Sequence, residues 1–170
     1  GDVAFEGNAV DVAISLDGSR IAIGAPKANG TAGVPFGGRV RVFEYVSDSW
    51  TQVGTDLTGN GALDGFGNLL GLSNYGNLLV VAAQREGNDN AGVVRVFEER
   101  ISEWTQYGED LTGDFGGEFG SDVLITTNGT ERVFVAGPTA AGVGVVRAYE
   151  YRAFDKEWEQ VGADITEIGG

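Results

Sequence analysis

One ten-residue phrase recurs three times at a fixed interval, and that recurrence narrows the folds open to the chain more than any other feature. It reads WTQVGTDLTG from Trp50, WTQYGEDLTG from Trp104 and WEQVGADITE from Trp158, with 54 residues between successive tryptophans. A second phrase precedes each one: RVFE at Arg41 to Glu44, RVFE at Arg95 to Glu98, and RAYE at Arg147 to Glu150. A third opens each unit, as Phe5-Glu6-Gly7, Phe66-Gly67 and Phe119-Gly120. Such self-similarity marks stacked supersecondary units, each too small to bury its apolar face without a neighbour.

Within each unit, short strands alternate with glycine turns. Asn8 to Ser15 puts Val10, Val12 and Ile14 on one side, and the Asp17-Gly18 turn leads into Arg20 to Gly24. The corresponding second strands, Leu78 to Ala83 and Arg132 to Ala136, are nearly continuous apolar runs and predict strands buried on both faces. Third strands are expected over Gly38 to Val46, Gly92 to Glu99 and Gly144 to Tyr151, with fourth strands starting at the tryptophans. No segment has a capped helical period, and the 29 glycines oppose one. The reading is all-β: three four-stranded antiparallel β-propeller blades spanning 1–59, 60–113 and 114–170. Closed propellers use about four to eight blades. Three therefore imply completion by further sequence or further copies, or an open stack with protected edges.

Charge and missing residue types remove several functions. With 11 Lys+Arg against 25 Asp+Glu, the net charge of −14 disfavours nucleic acid and anionic membrane surfaces as partners. No His and no Cys means no Ser-His-Asp or Cys-His nucleophile, no nitrogen- or sulfur-ligated zinc and no disulfides. Carboxylate, Tyr and Lys chemistry and oxygen-only metal binding remain. No apolar run is long enough for a membrane-spanning helix, so no membrane insertion is expected. A chain that starts at Gly1 and has no Met reads as processed or as a segment of something longer.

The order Phe-Gly, strand, Gly turn, Gly-Ala-Pro, then a Val-Arg-Val-Phe strand and a Trp-Thr-Gln phrase resembles FG-GAP repeats, the blades of integrin-alpha-like propellers. Phe66-Gly67 and Phe119-Gly120 match the first element, Phe5-Glu6-Gly7 carries an insertion, and Gly24-Ala25-Pro26 matches the last element. Ala136-Gly137-Pro138 nearly matches it and Ala82-Ala83-Gln84 departs from it. The resemblance spans essentially the whole chain and implies adhesion, ligand binding or scaffolding. It also implies a DxDxDG calcium loop, but the matching turns, at Ser15 to Gly18, Asn74 to Gly76 and Thr127 to Gly129, offer at most one carboxylate each. Asn88, Asp89 and Asn90, in the run from Glu86, are the remaining candidate calcium ligands, against a reading as a solvated polar loop. Asp64, Asp114 and Glu118 lie in loops between units and could join a site.

The repeated positions are read as structural. Asp56, Asp110 and Asp164 are expected to accept backbone N–H bonds in turns, and Arg41, Arg95 and Arg147 to pair with glutamates or stack on aromatics. Trp50, Trp104 and Trp158 are expected to pack between units rather than to stack on sugars. The insertion Lys27 to Gly38 escapes the repeat, and Phe36 within it is the candidate contact for a partner. The sequons at Asn29 and Asn128 are candidate glycosylation sites of a secreted protein.

Together these readings lead to a non-enzymatic extracellular or cell-surface module for interaction, adhesion or structural assembly, whose partners are proteins, further copies of itself, or glycans. Two alternatives stand beside it: a carbohydrate-active lyase or glycosidase fragment using carboxylates, and a calcium-dependent adhesion propeller. No other cofactor is implied.

Overall fold

The computed structural model describes residues 9–114, 116–126, 130–138 and 141–166. Among them, the only helical turns are two three-residue 3-10 turns, Thr31–Gly33 and Asn88–Asn90. The rest is strand and loop, arranged as three antiparallel sheets. The first sheet is a meander of β1 (Asp11–Ile14), β2 (Arg20–Ala25), β3 (Arg39–Val46) and β4 (Ser49–Thr58). The second orders β5 (Leu69–Leu72), β6 (Leu78–Ala83), β7 (Val93–Arg100) and β8 (Glu103–Gln106), and β9 (Leu111–Thr112) returns to pair with β7. The third repeats this plan with β10 (Asp122–Thr126), β11 (Arg132–Pro138), β12 (Gly144–Arg152) and β13 (Glu157–Gln160), β14 (Ile165–Thr166) pairing with β12.

The fifth strands correct the expectation of four per unit. After each Trp strand stands a glycine, Gly54, Gly108 or Gly162, held at φ +73°, +84° and +78°. There the chain kinks out of the ladder and rejoins the third strand three residues later, at Leu57, Leu111 and Ile165, in the manner of a bulge. In the first sheet the ladder resumes as part of β4 itself, with a register shift between Val40 and Val42.

The second sheet lies between the other two, which explains β6. All six of its residues are buried, because one face packs on the first sheet and the other on the third. In β11, buried residues alternate with half-exposed ones, so it does not share the two-sided burial expected of it. Towards the first sheet, Leu70, Leu79, Val81, Phe97 and Trp104 meet Ala22, Val40 and Val42. Towards the third, Val80, Val94 and Val96 meet Val123, Val133, Val135, Tyr149 and Trp158. Each fully buried Val, Leu or Phe contributes about 1.5–3 kcal/mol.

Polar groups lock the same contacts. The Trp104 indole N–H donates to the Val53 carbonyl at 3.2 Å, and the Trp158 indole N–H to the Tyr107 carbonyl at 2.7 Å, each bond reaching from one sheet to the preceding one. Trp50 differs: it is 45 % exposed and tilts against Tyr45. Phe66 and Phe119 are buried where successive sheets meet. A Cβ on Gly38 would sit 2.0 Å from the Phe66 carbonyl oxygen, and one on Gly92 would sit 2.3 Å from that of Phe119, so only glycine allows this approach. The phrase Phe5-Glu6-Gly7 lies outside the described residues.

Candidate functional site

The once-per-unit Asp and Arg form a repeated clasp. Arg41 donates through Nε and Nη2 to the two Asp56 oxygens at 2.9 and 3.0 Å. Arg95 does the same to Asp110 at 2.9 and 2.8 Å, and Arg147 to Asp164 at 3.0 and 3.1 Å. Gln52, Gln106 and Gln160 each add an amide N–H bond to the same carboxylate. Side chains therefore satisfy these aspartates, where backbone N–H groups were expected. The Arg147 bonds hold Asp164 below the ordinary carboxylate range. At Asp56 burial acts in the opposite direction, but the bonds from Arg41 and Gln52 outweigh it and the carboxyl is also held low. Arg95 further grips both oxygens of Glu86, while Arg147 reaches Asp114 at 2.9 Å and lies over the Phe119 ring. Bidentate pairs of this kind engage both oxygens of each carboxylate and tie the returning chain to the third strand.

The turn at Asp17 is satisfied in a similar way. Its carboxylate accepts from the Ser19 backbone N–H and from the Ser15 and Ser19 hydroxyls, which hold it at about 2. The run from Glu86 is used structurally: Glu86 belongs to Arg95, and the Asn90 carbonyl accepts from the Glu118 N–H. Asp89 and Asn90 are exposed at φ +48° and +58°; of Asn88 only the backbone turn is described. Among the described residues no group of three or more carboxylates is placed to hold a metal ion. Asn29 is exposed beside Gly30 and Thr31, and Asn128 lies outside the described residues.

Charged groups outside the clasps gather in a cavity of about 410 Å³ between the first two sheets. Pro26 and Lys27 follow β2, Phe36 comes from the insertion before β3, Leu63 to Asn68 from the loop after β4, and Gln84 and Arg85 follow β6. Phe36, half exposed at φ +53°, forms an apolar wall with Leu63 and Pro26. An amide N–H bond from Asn68 to Gln84 crosses the floor. Asp64 is the carboxylate of the cavity, and burial, reinforced by nearby Glu86, raises its pKa above the ordinary aspartate value. Lys27 and Arg85 are exposed at the cavity wall and have no ion-pair partner among the described residues. A concave apolar site with one carboxyl of raised pKa and two cations without ion-pair partners suits binding of a small anion and proton transfer beside it.

The sequence marks Lys27 as the start of an insertion and Asp64 as a loop acid that could join a site, and it gives no sign of Arg85. The available signal is departure from the repeat: two residues before the Phe-Gly step stands Asp64 in the second unit and Gly117 in the third. A second cavity, of about 590 Å³, lies against the outer part of the third sheet, lined by Gly137, Gly144, Val145 and Ile165 among others.

No family model and no curated protein matches the sequence. Solved structures do match in fold. A "putative 6-phosphogluconolactonase" from Bacteroides uniformis superimposes with a TM-score of 0.60 at 14% identity, over 91% of this chain and 39% of that one. A protein of the same description from Bacteroides fragilis gives 0.61 at 14%, over 92% and 38%. A hypothetical selenium-binding protein from Sulfolobus tokodaii gives 0.58 at 11%, over 94% and 42%. The chain thus spans about two fifths of the length of these neighbours.

These findings correct the FG-GAP, integrin-alpha-like assignment. The Phe-Gly, Arg-Val-Phe and Trp-Thr-Gln phrases are accounted for by sheet packing: a glycine where backbones touch, an Arg for the clasp and an indole for the next sheet. Packing of that kind does not single out one family. The reading as a non-enzymatic adhesion or structural module is corrected with it, and the extracellular, adhesion and structural-protein descriptions lose their support. Two of the structures that share this arrangement of sheets are named as enzymes.

Proposed function

We propose that the three sheets are blades of a β-propeller, divided at 1–59, 60–113 and 114–170, and that the cavity around Asp64 binds a small anionic sugar-derived ester or lactone and hydrolyses it. The observation that carries this reading is the pairing of one carboxyl of raised pKa with two unpaired cations in a protein of net charge −14. In so acidic a chain, unpaired Lys27 and Arg85 in one cavity wall supply the local positive field an anionic substrate needs. The fold shared with two proteins named for lactone chemistry supports the choice of substrate class.

In this reading Asp64 acts as general base. It takes a proton from water as the water oxygen bonds to the acyl carbon, and returns that proton to the ring oxygen as the acyl C–O bond breaks. A raised pKa makes the ionised carboxylate a stronger base than an ordinary aspartate. Lys27 and Arg85 hold the anionic group, and Phe36 covers the carbon skeleton.

The test uses a phosphorylated sugar acid as binding probe and its lactone as substrate. Asp64→Asn should abolish hydrolysis above the spontaneous rate while leaving binding of the acid intact. Lys27→Ala and Arg85→Ala should each weaken that binding by about ten- to hundredfold, the loss of one charged hydrogen bond. Wild-type protein that neither binds the acid nor accelerates lactone opening ends the proposal.

A further inference from the structure

We propose that the open faces at the two ends of the stack are the halves of one more sheet-to-sheet contact, closed head to tail by a second copy of this chain. The argument stands apart from the chemistry of the Asp64 cavity and rests on register. Val12 pairs with Ile23 as Leu70 pairs with Val81 and Val123 with Val135. Ile14 likewise pairs with Ile21, Leu72 with Leu79 and Ile125 with Val133. In the second and third sheets this face is packed on the preceding sheet. In the first sheet it is open: Val12 and Ile14 are each 60 % exposed and Trp50 is 45 % exposed.

The third sheet presents the complementary surface. Its far side carries Leu124 at 63 %, Ile165 at 58 % and, beyond the Trp strand, Val161 at 43 % exposure. The indole bonds run from Trp104 to Val53 and from Trp158 to Tyr107; the next members of the two series are Trp50 and Val161. The glycine contacts agree. A Cβ on Gly54 would lie 2.9 Å from Trp104 and one on Gly108 would lie 2.6 Å from Trp158, yet one on Gly162 meets nothing within 4 Å. Gly38 and Gly92 are closed over by Phe66 and Phe119, whereas Gly144, their counterpart, borders the 590 Å³ cavity.

The exposed valine, isoleucine and tryptophan of the first sheet and the exposed leucine, valine and open glycine of the third are thus the two sides of the contact that the inner sheets already make, which is the reason to assign the face to a second copy. Two unlike surfaces that fit each other make a heterologous contact, which closes into a ring when the rotation allows. Monomeric soluble proteins rarely leave large contiguous apolar faces uncovered.

The test is light scattering on size-separated protein with one blocked end. Wild type should elute at twice the mass of one chain. Val12→Lys blocks the first face and Leu124→Lys the last; both side chains are exposed, so circular dichroism should show unchanged strand content. Each variant alone should run as a monomer, its dissociation constant raised about tenfold or more. Mixing the two should restore a dimer, because one intact face remains on each. Trp50→Lys serves as a second first-face variant should Val12→Lys lose structure. A monomeric wild type, a variant that still dimerises alone, or a mixture that stays monomeric overturns the proposal.

Discussion

Replacing each repeat tryptophan by phenylalanine tests whether sheet stacking, rather than the recurring phrase itself, stabilises the chain. Trp104 is 8 % exposed and donates to a carbonyl on Val53, itself 9 % exposed. Trp104→Phe leaves that carbonyl unpaired at about 1–3 kcal/mol, and the missing ring volume brings the loss to about 2–4 kcal/mol. Trp158→Phe should cost about the same, because its indole bond to Tyr107 and its burial are equivalent. Trp50→Phe, at an exposed position, should cost under about 1 kcal/mol. All three belong in a Val12→Lys background, where association does not obscure the comparison. Urea unfolding followed by circular dichroism should show midpoints lowered by about 1–2 M for the two buried positions and nearly unmoved for Trp50. Equal losses at the three positions would refute the argument, since sequence alone makes them alike.

Two further outcomes follow from single residues. Because burial and Glu86 raise the Asp64 pKa, ionising it opposes folding, and the native state holds its proton more tightly than the unfolded chain does. Asp64→Asn should therefore raise the melting temperature at neutral pH, with the gain fading as pH falls through the folded-state value and gone below the ordinary 3.8; a loss at neutral pH would contradict the raised pKa. Gly92→Ala places a Cβ 2.3 Å from the Phe119 carbonyl oxygen at φ +84°, and should cost about 2–4 kcal/mol in the same unfolding assay. Gly144→Ala, with nothing within 4 Å, should change stability by less than about 1 kcal/mol, and a comparable loss at both positions would remove the packing explanation for these glycines.

Much of the local structure was legible in the residues. The apolar run Leu78 to Ala83 is β6 residue for residue, and the absence of a helical period matches a fold of strands and loops among the described residues. The clasp was half legible. Once-per-unit recurrence marks Asp110 and Arg95 as structural, but they stand 15 residues apart across a hairpin and a kink, so only the folded ladder shows that they pair with each other. The candidate site was the least legible part. Lys27, Asp64 and Arg85 come from three separate loops of two sheets, and no spacing along the chain brings them together.

The sequence by itself determined the four main strands of each unit and the turns between them, because side-chain alternation and the glycine demand at tight turns are local properties that each unit repeats. Tertiary structure decided what the repeat leaves equal. Three similar phrases give two buried tryptophans and one exposed one, since burial depends on whether a neighbouring sheet is present. The same holds for Asp64, whose pKa is set by the surfaces folded around it and not by its neighbours along the chain.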